Sequence, residues 1–234
     1  MRFLRSLLFS IGMILITVIY AIPSCLTYVL PYRPRYRFIN VWHRSVLWWL
    51  QVTCGIRYEV EGVENIPRDR VGIIFSKHES TWETLALTKI FPPQAWVLKR
   101  ELLWIPFFGW ALAVLEPIAI DRKAWRKAFN QIIDQGIPKL DAGRWIVVFP
   151  EGTRVAPGQT KKFGVGGALL AAKSGYPVVP VAHNAGEFWP KGGFLKKPGT
   201  IRVVIGKPIE SKGRKATAIN EEAEQWINTT RASL

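Results

Sequence analysis

Between Ser6 and Tyr32 the chain carries no charged side chain. The run SLLFSIGMILITVIYAIPSCLTYVLPY holds over twenty consecutive, mostly apolar positions. As a helix it is long enough to cross a hydrocarbon layer of about 30 Å. A chain of 234 residues with such a start has room for this segment and one folded domain, not for two full domains. A cleaved signal peptide would use Arg2 and Arg5 as its basic end. The run is too long for that, however, no A-x-A-like site follows it, and Pro23 stands where a lipoprotein-type Cys25 needs a small residue.

Pro23 is expected to kink or stop the helix. Two geometries fit the segment: one tilted spanning helix, or a helical hairpin that dips into one leaflet and returns. Residues 1–50 contain six arginines (Arg2, Arg5, Arg33, Arg35, Arg37, Arg44) and no acid, within a formal net charge of +15. The basic residues are heavier on the carboxyl side of the run, which places the main domain in the cytoplasm. A second apolar stretch, residues 46–55 with the pair Trp48–Trp49, suits either the headgroup region or packing onto the domain. Eleven tryptophans in a basic chain point to an anionic membrane surface rather than to nucleic acid, for which no helix-turn-helix, RRM or OB signature is present. Two cysteines, Cys25 and Cys54, exclude a disulfide framework, and no Cys/His spacing suits zinc.

Residues 1–55 are therefore expected to form a membrane-anchoring helical segment, and residues 56–234 an α/β domain. Seven β-rich runs, 56–62, 71–77, 95–100, 116–121, 145–150, 178–184 and 200–206, alternate with helical patterns at Thr81–Ile90, Arg122–Gln135, Val165–Ser174 and Ile219–Thr230. This alternation predicts a mixed, largely parallel sheet of about seven strands flanked by helices. Nearly continuous apolar runs such as WIVVFP mark central strands. Ligands bind beyond the carboxyl ends of such strands, here Lys77–His78, Lys99–Arg100, Pro150–Arg154 and His183–Asn184.

The segment VGIIFSKHESTWETLAL puts His78 between a strand and a helix, with Glu83 five residues on. With His78 outside the helix and Glu83 in its first turn, imidazole and carboxylate can meet as a base and its orienter. Ser80 to Glu83 also fits the S-x-x-E capping box, in which Glu83 reaches the cap amide instead. Trp82 occupies the place of the second histidine in H-E-x-x-H, which excludes a zinc-protease helix. The turn FPEGTR, residues 149–154, offers amides and a guanidinium fork to a phosphate, although an ordinary surface turn fits it equally. No nucleotide P-loop and no G-x-S-x-G elbow occurs. The run LLWIPFFGWALAVL (102–115) reads as a hydrophobic wall or a second membrane-facing patch rather than a core helix.

Taken in order, these blocks resemble the glycerophosphate and lysophosphatidate acyltransferase superfamily, and closely the bacterial 1-acyl-sn-glycerol-3-phosphate acyltransferases. The first block, H-x4-D in that family, reads His78 to Glu83. The second runs from Lys99-Arg100-Glu101-Leu102 to Pro106-Phe107-Phe108-Gly109. The third, Phe149-Pro150-Glu151-Gly152-Thr153-Arg154, matches residue for residue, and the fourth is Val178-Val179-Pro180-Val181. The resemblance covers residues 57–209. One departure stands out: the family's usual aspartate is Glu83, one methylene longer.

The resemblance implies transfer of a fatty acyl group from acyl-CoA or acyl carrier protein to the sn-2 hydroxyl of 1-acylglycerol 3-phosphate. It makes His78 the general base and Glu83 its orienter. Arg154, Glu151, Gly152 and Thr153 are implied to hold the phosphate, with Lys99 and Arg100 assisting, and Val178, Pro180, Phe107 and Phe108 to have acyl-contacting or structural roles. It implies no cofactor, no metal and no covalent acyl-enzyme. The implied partners are membrane phospholipids, lysophosphatidate and an acyl-CoA or acidic carrier-protein donor, with no nucleic acid, at the cytoplasmic face of a bacterial inner membrane. Another lysolipid or glycerol 3-phosphate as acceptor, or a non-catalytic lipid-binding protein, would share these blocks.

Overall fold

A computed structural model describes residues 1–91, 93–106, 108–121 and 125–234. The amino-terminal part is a pair of long helices, α1 (Arg2–Leu26) and α2 (Tyr32–Cys54), joined by a 3₁₀ turn at Thr27–Val29 and by Leu30–Pro31. Pro23 does not stop α1 but lies inside its last turn. The two helices run antiparallel along their whole length. Trp49 Nε1 donates to the Leu8 carbonyl (3.2 Å), Trp42 Nε1 to the Thr17 hydroxyl (3.2 Å), and Tyr20 meets Phe38. Gly12 makes this approach possible: a Cβ there would lie 2.0 Å from the Trp49 ring.

Both ends of α1 are fastened to the rest of the molecule. At its start, Ser6 Oγ accepts the Lys196 amide (2.9 Å) and Phe9 packs edge-on against Trp189. Near its end, Ala21 and Ser24 face Phe108, Ala111 and Leu112. The outward side of α1 remains apolar, with Leu4, Ile14, Val18, Ile19, Ile22 and Leu26 exposed. The helix is long and apolar enough to cross a membrane, with a mean hydropathy of 2.2. α2 ends where Gly55 adopts φ +68°, its amide capping the Gln51 carbonyl, a left-handed stop that glycine takes without steric cost.

Seven strands follow: β1 (Ile56–Glu61), β2 (Ile73–Ser76), β3 (Gln94–Lys99), β4 (Ile118–Ile120), β5 (Trp145–Val148), β6 (Val178–His183) and β7 (Gly199–Ile205). They form one sheet in the order β1-β7-β6-β2-β5-β3-β4. All pairings are parallel except β6 with β7, so β1 and β7 run against the other five. This is the expected mixed, largely parallel sheet. The interleaved helices are α3 (Trp82–Ile90), α4 (Phe108–Ala113), α5 (Trp125–Asp141), α6 (Gly166–Ser174), α7 (Ala185–Phe188) and α8 (Ala216–Ala232).

Alternate side chains of the central strands feed two cores, which explains their unbroken apolar sequences. On one face Ile74, Val147, Val179 and Val181 pack with Phe9, Leu50 and Leu85 from α1, α2 and α3. On the other, Ile73, Phe75, Ile146 and Val178 pack with Leu140, Leu170, Ile219 and Ile227 from α5, α6 and α8. α6 stops at Gly175 as its Gly-x-Pro sequence requires. α5 continues past the expected end at Gln135 and carries Pro138 inside it, while the expected start at Arg122 lies outside the described residues. The run 102–115 is not one helix: a 3₁₀ turn (Arg100–Trp104) precedes α4, with Trp104 and Trp110 largely exposed.

Candidate active site

β2 ends at Ser76 and α3 starts at Trp82, so Lys77–Thr81 form a loop at the carboxyl end of a central strand. Within it His78 Nδ1 lies 2.7 Å from Glu83 Oε1. That same oxygen accepts the amides of Ser80 (2.9 Å) and Glu79 (3.1 Å). The capping role and the orienting role, alternatives in the sequence, are thus performed together by one carboxylate oxygen. Ser80 completes the helix start by accepting the Trp82 amide (3.1 Å) and is itself fixed by donating to the Trp189 carbonyl (2.5 Å).

Glu83 is fully buried. Burial alone would push its carboxyl up; the hydrogen bond with His78, the His183 and His78 imidazoles and the Ser80 amide outweigh it and hold the group below its ordinary value. Because Glu83 is ionised, the ring nitrogen facing it carries the hydrogen, and Nε2 is the acceptor nitrogen. The His78 ring stacks on Phe149, with centroids 3.9 Å apart and planes 13° from parallel.

The second turn comes from β5. Gly152 adopts φ +69°, its amide closing the turn onto the Phe149 carbonyl. Glu151 points inward: Oε1 meets Lys77 Nζ at 2.5 Å, and Oε2 accepts the His78 amide at 2.9 Å. Val155 donates to the His78 carbonyl (2.8 Å), so the two turns are stitched together on both sides of His78. Both Glu151 oxygens are therefore engaged inside the protein, and the residue offers nothing to a phosphate. Thr153 is exposed, with Lys191 Nζ 3.4 Å from its hydroxyl and 3.3 Å from the Arg154 carbonyl. Arg154 is half-buried, and its enclosed Nε has no hydrogen-bond partner among the described residues.

His78 opens on a cavity of about 270 Å³ with mainly apolar walls: Val97, Ile120, Phe129, Ile132, Val148 and Phe149. Pro150 and Gly152 from the second turn, and Gly164, Gly166 and Gly167 at the start of α6, complete it. Glu151, Thr153 and Arg154 do not line it. Nor do Lys99 and Arg100, which are exposed at the end of β3, Lys99 being paired with Glu101 at 3.1 Å. Val178 and Pro180 are buried within β6, a structural position. Phe108 faces Thr17 and Tyr20 of α1 across a separate small pocket, and Phe107 lies outside the described residues. Among the described residues no group of three His, Cys, Asp or Glu side chains could hold a metal ion.

Three supporting residues carried no role in the sequence reading. Lys77 and His183 stand at strand ends singled out there, so their positions were visible although their partners were not. Glu79 pairs with Arg231 at 2.7 Å, joining the His78 loop to the end of α8 across 152 residues of sequence. No local pattern announces that contact.

Residues 57–184 match the family model described as Acyltransferase, a span that includes both turns. The chain is 51% identical over 210 residues to a 1-acyl-sn-glycerol-3-phosphate acyltransferase of Pseudomonas aeruginosa, covering 88% of this chain and 81% of that one. This chain belongs to the acyltransferase family. The acyltransferase is also 28% identical over 218 residues to the human 1-acyl-sn-glycerol-3-phosphate acyltransferase alpha, covering 91% of this chain and 74% of the other. Its fold matches the crystal structure of the 1-acyl-sn-glycerophosphate (LPA) acyltransferase PlsC of Thermotoga maritima with a TM-score of 0.77 and 26% identity, over 99% of this chain and 98% of that one. That match extends through α1 and α2, whereas the family model begins after them, at residue 57.

Proposed function

We propose that this acyltransferase moves a fatty acyl group from an acyl thioester to the sn-2 hydroxyl of 1-acylglycerol 3-phosphate, giving phosphatidate, with His78 as general base. The observation that carries this reading is the His78–Glu83 pair opening onto a mainly apolar cavity beside the Gly152 turn. His78 Nε2 takes the hydroxyl proton as that oxygen attacks the thioester carbonyl. The new C–O bond forms, the C–S bond breaks, and the proton returns from the imidazolium to the leaving thiolate. Glu83 holds the ring's tautomer and stabilises the imidazolium between the two steps. The apolar walls suit an aliphatic chain, delivered by coenzyme A or acyl carrier protein.

Arg154 is assigned to the phosphate. A half-buried guanidinium can offer a bidentate fork to a charged acceptor, and its neighbours Gly152 and Thr153 share the same turn. Glu151 is excluded from that role by its own pairing. Membrane attachment follows from α1: its outward apolar face, with the exposed Arg33, Arg37 and Arg44 of α2, suits a hairpin lying in one leaflet of a bacterial inner membrane, with the catalytic domain on the cytoplasmic face. Residues 1–55 would then be the anchoring unit and 56–234 the catalytic one. A panel of lysolipid acceptors in mixed micelles with one labelled acyl donor tests the assignment; absence of turnover with 1-acylglycerol 3-phosphate refutes it.

A further inference from the structure

The peptide unit between Lys77 and His78 is held from both of its polar ends by buried side chains. Its N–H donates to Glu151 Oε2 (2.9 Å), and its C=O accepts His183 Nε2 (2.9 Å). The His183 tautomer is fixed, because its Nδ1 accepts the Ala185 amide (3.2 Å) and only Nε2 can then carry the hydrogen. Glu151 is in turn pinned by Lys77 Nζ, which also reaches the Gln159 carbonyl at 3.3 Å. Lys77 and Glu151 are essentially inaccessible, with side chains 1% and 0% exposed. A buried ion pair adds little stability over two apolar side chains of the same size, so its placement against His78 is the informative property. The imidazole is a lever on this peptide: a tilt of the peptide plane swings Nε2 through the cavity mouth and strains the bond to Glu83.

We infer that the buried Lys77–Glu151 pair positions His78, Lys77 holding one Glu151 oxygen while the other receives the His78 amide. The inference rests on the general-base reading of His78 and adds the device that sets the ring's reach. Lys77 touches neither the cavity nor the solvent, so its contribution belongs to kcat and not to lipid binding. Replacing Lys77 alone would strand a buried carboxylate and threaten the fold. The test therefore compares two charge-balanced double variants. Lys77→Met with Glu151→Gln keeps a carbonyl acceptor for the His78 amide; Lys77→Met with Glu151→Ala removes it.

In mixed micelles with saturating donor, the alanine double variant is expected to lose about 100-fold in kcat with KM for the lysolipid nearly unchanged, and the glutamine double variant to recover at least about 10-fold of that loss. Both proteins are compared at temperatures below their melting transitions. Equal kcat in the two variants, or a loss carried by KM, overturns the inference. His78→Ala run alongside separates the failures. If that protein keeps its rate, the general-base reading is wrong; if it is inactive while the two double variants match, only the positioning role of the Lys77–Glu151 pair is.

Discussion

The two turns that meet at the cavity begin alike, each at the carboxyl end of a buried central strand, yet they spend their polar groups differently. In the His78 turn, Glu79, Ser80 and Glu83 are fully enclosed, with Glu79, Ser80 and Glu83 Oε1 bonded inside, and the imidazole reaches out to the cavity. In the 149–154 turn the inner half, through Glu151, is equally committed, while Thr153 and Arg154 face the surface. A group that transfers a proton needs a fixed height and angle, and hydrogen bonds on every side supply them. A group that grips a headgroup needs an unspent donor. The difference supports the proposed division, with chemistry in the first turn and recognition in the second.

The sharpest way to break this division is His78→Ala, expected to lower kcat by ~10³-fold while leaving folding and membrane binding intact; measurement of kcat in micelles beside a thermal melt decides it. Arg154→Ala should instead raise KM for the lysolipid by ~10–100-fold, the worth of a hydrogen bond to a charged group, with kcat nearly kept. A loss in kcat alone would place Arg154 with the chemistry and erase the contrast. Glu83 gives a pH signature. Its folded carboxyl lies below its ordinary value, so its stabilising effect is complete above the ordinary carboxylate pKa of ~4.3 and is lost as pH falls through the lowered one. Denaturant unfolding of wild type and Glu83→Gln should show the variant's stability falling less steeply in that acid window. The smallest effect is expected from Gly152→Ala: its left-handed backbone costs an alanine about 1 kcal/mol, and nothing lies within 4 Å of the added methyl group, so a melting curve is the appropriate check.

The seven strands were readable because central strands feeding two cores cannot alternate, and their continuous apolar runs stand out between helices. Their order was not, since nothing local tells β7 to insert between β1 and β6. The first half of α2 gave little signal either: Arg35 and His43, polar by type, are buried in it, Arg35 being paired with Glu116 at 3.0 Å. The His78–Glu83 contact was legible because five residues of spacing across a helix start bring the two together. By contrast, Lys77 and Glu151 are 74 residues apart, and only the fold makes them neighbours. The same pairing turned Glu151 from an expected phosphate ligand into an internal support. Glu83 itself satisfied two readings that looked exclusive, since a carboxylate oxygen has room for an imidazole and two amides.

The fastening of α1 at Ser6 and again near Ser24 has a kinetic corollary. In the proposed one-leaflet geometry, a greasy rod strapped lengthwise to its own domain would travel with the lipid sheet as a float, and lysolipid would reach the cavity by gliding sideways within the same monolayer. Turnover should then obey surface dilution, following the mole fraction of lysolipid in the monolayer rather than its concentration in the bulk water.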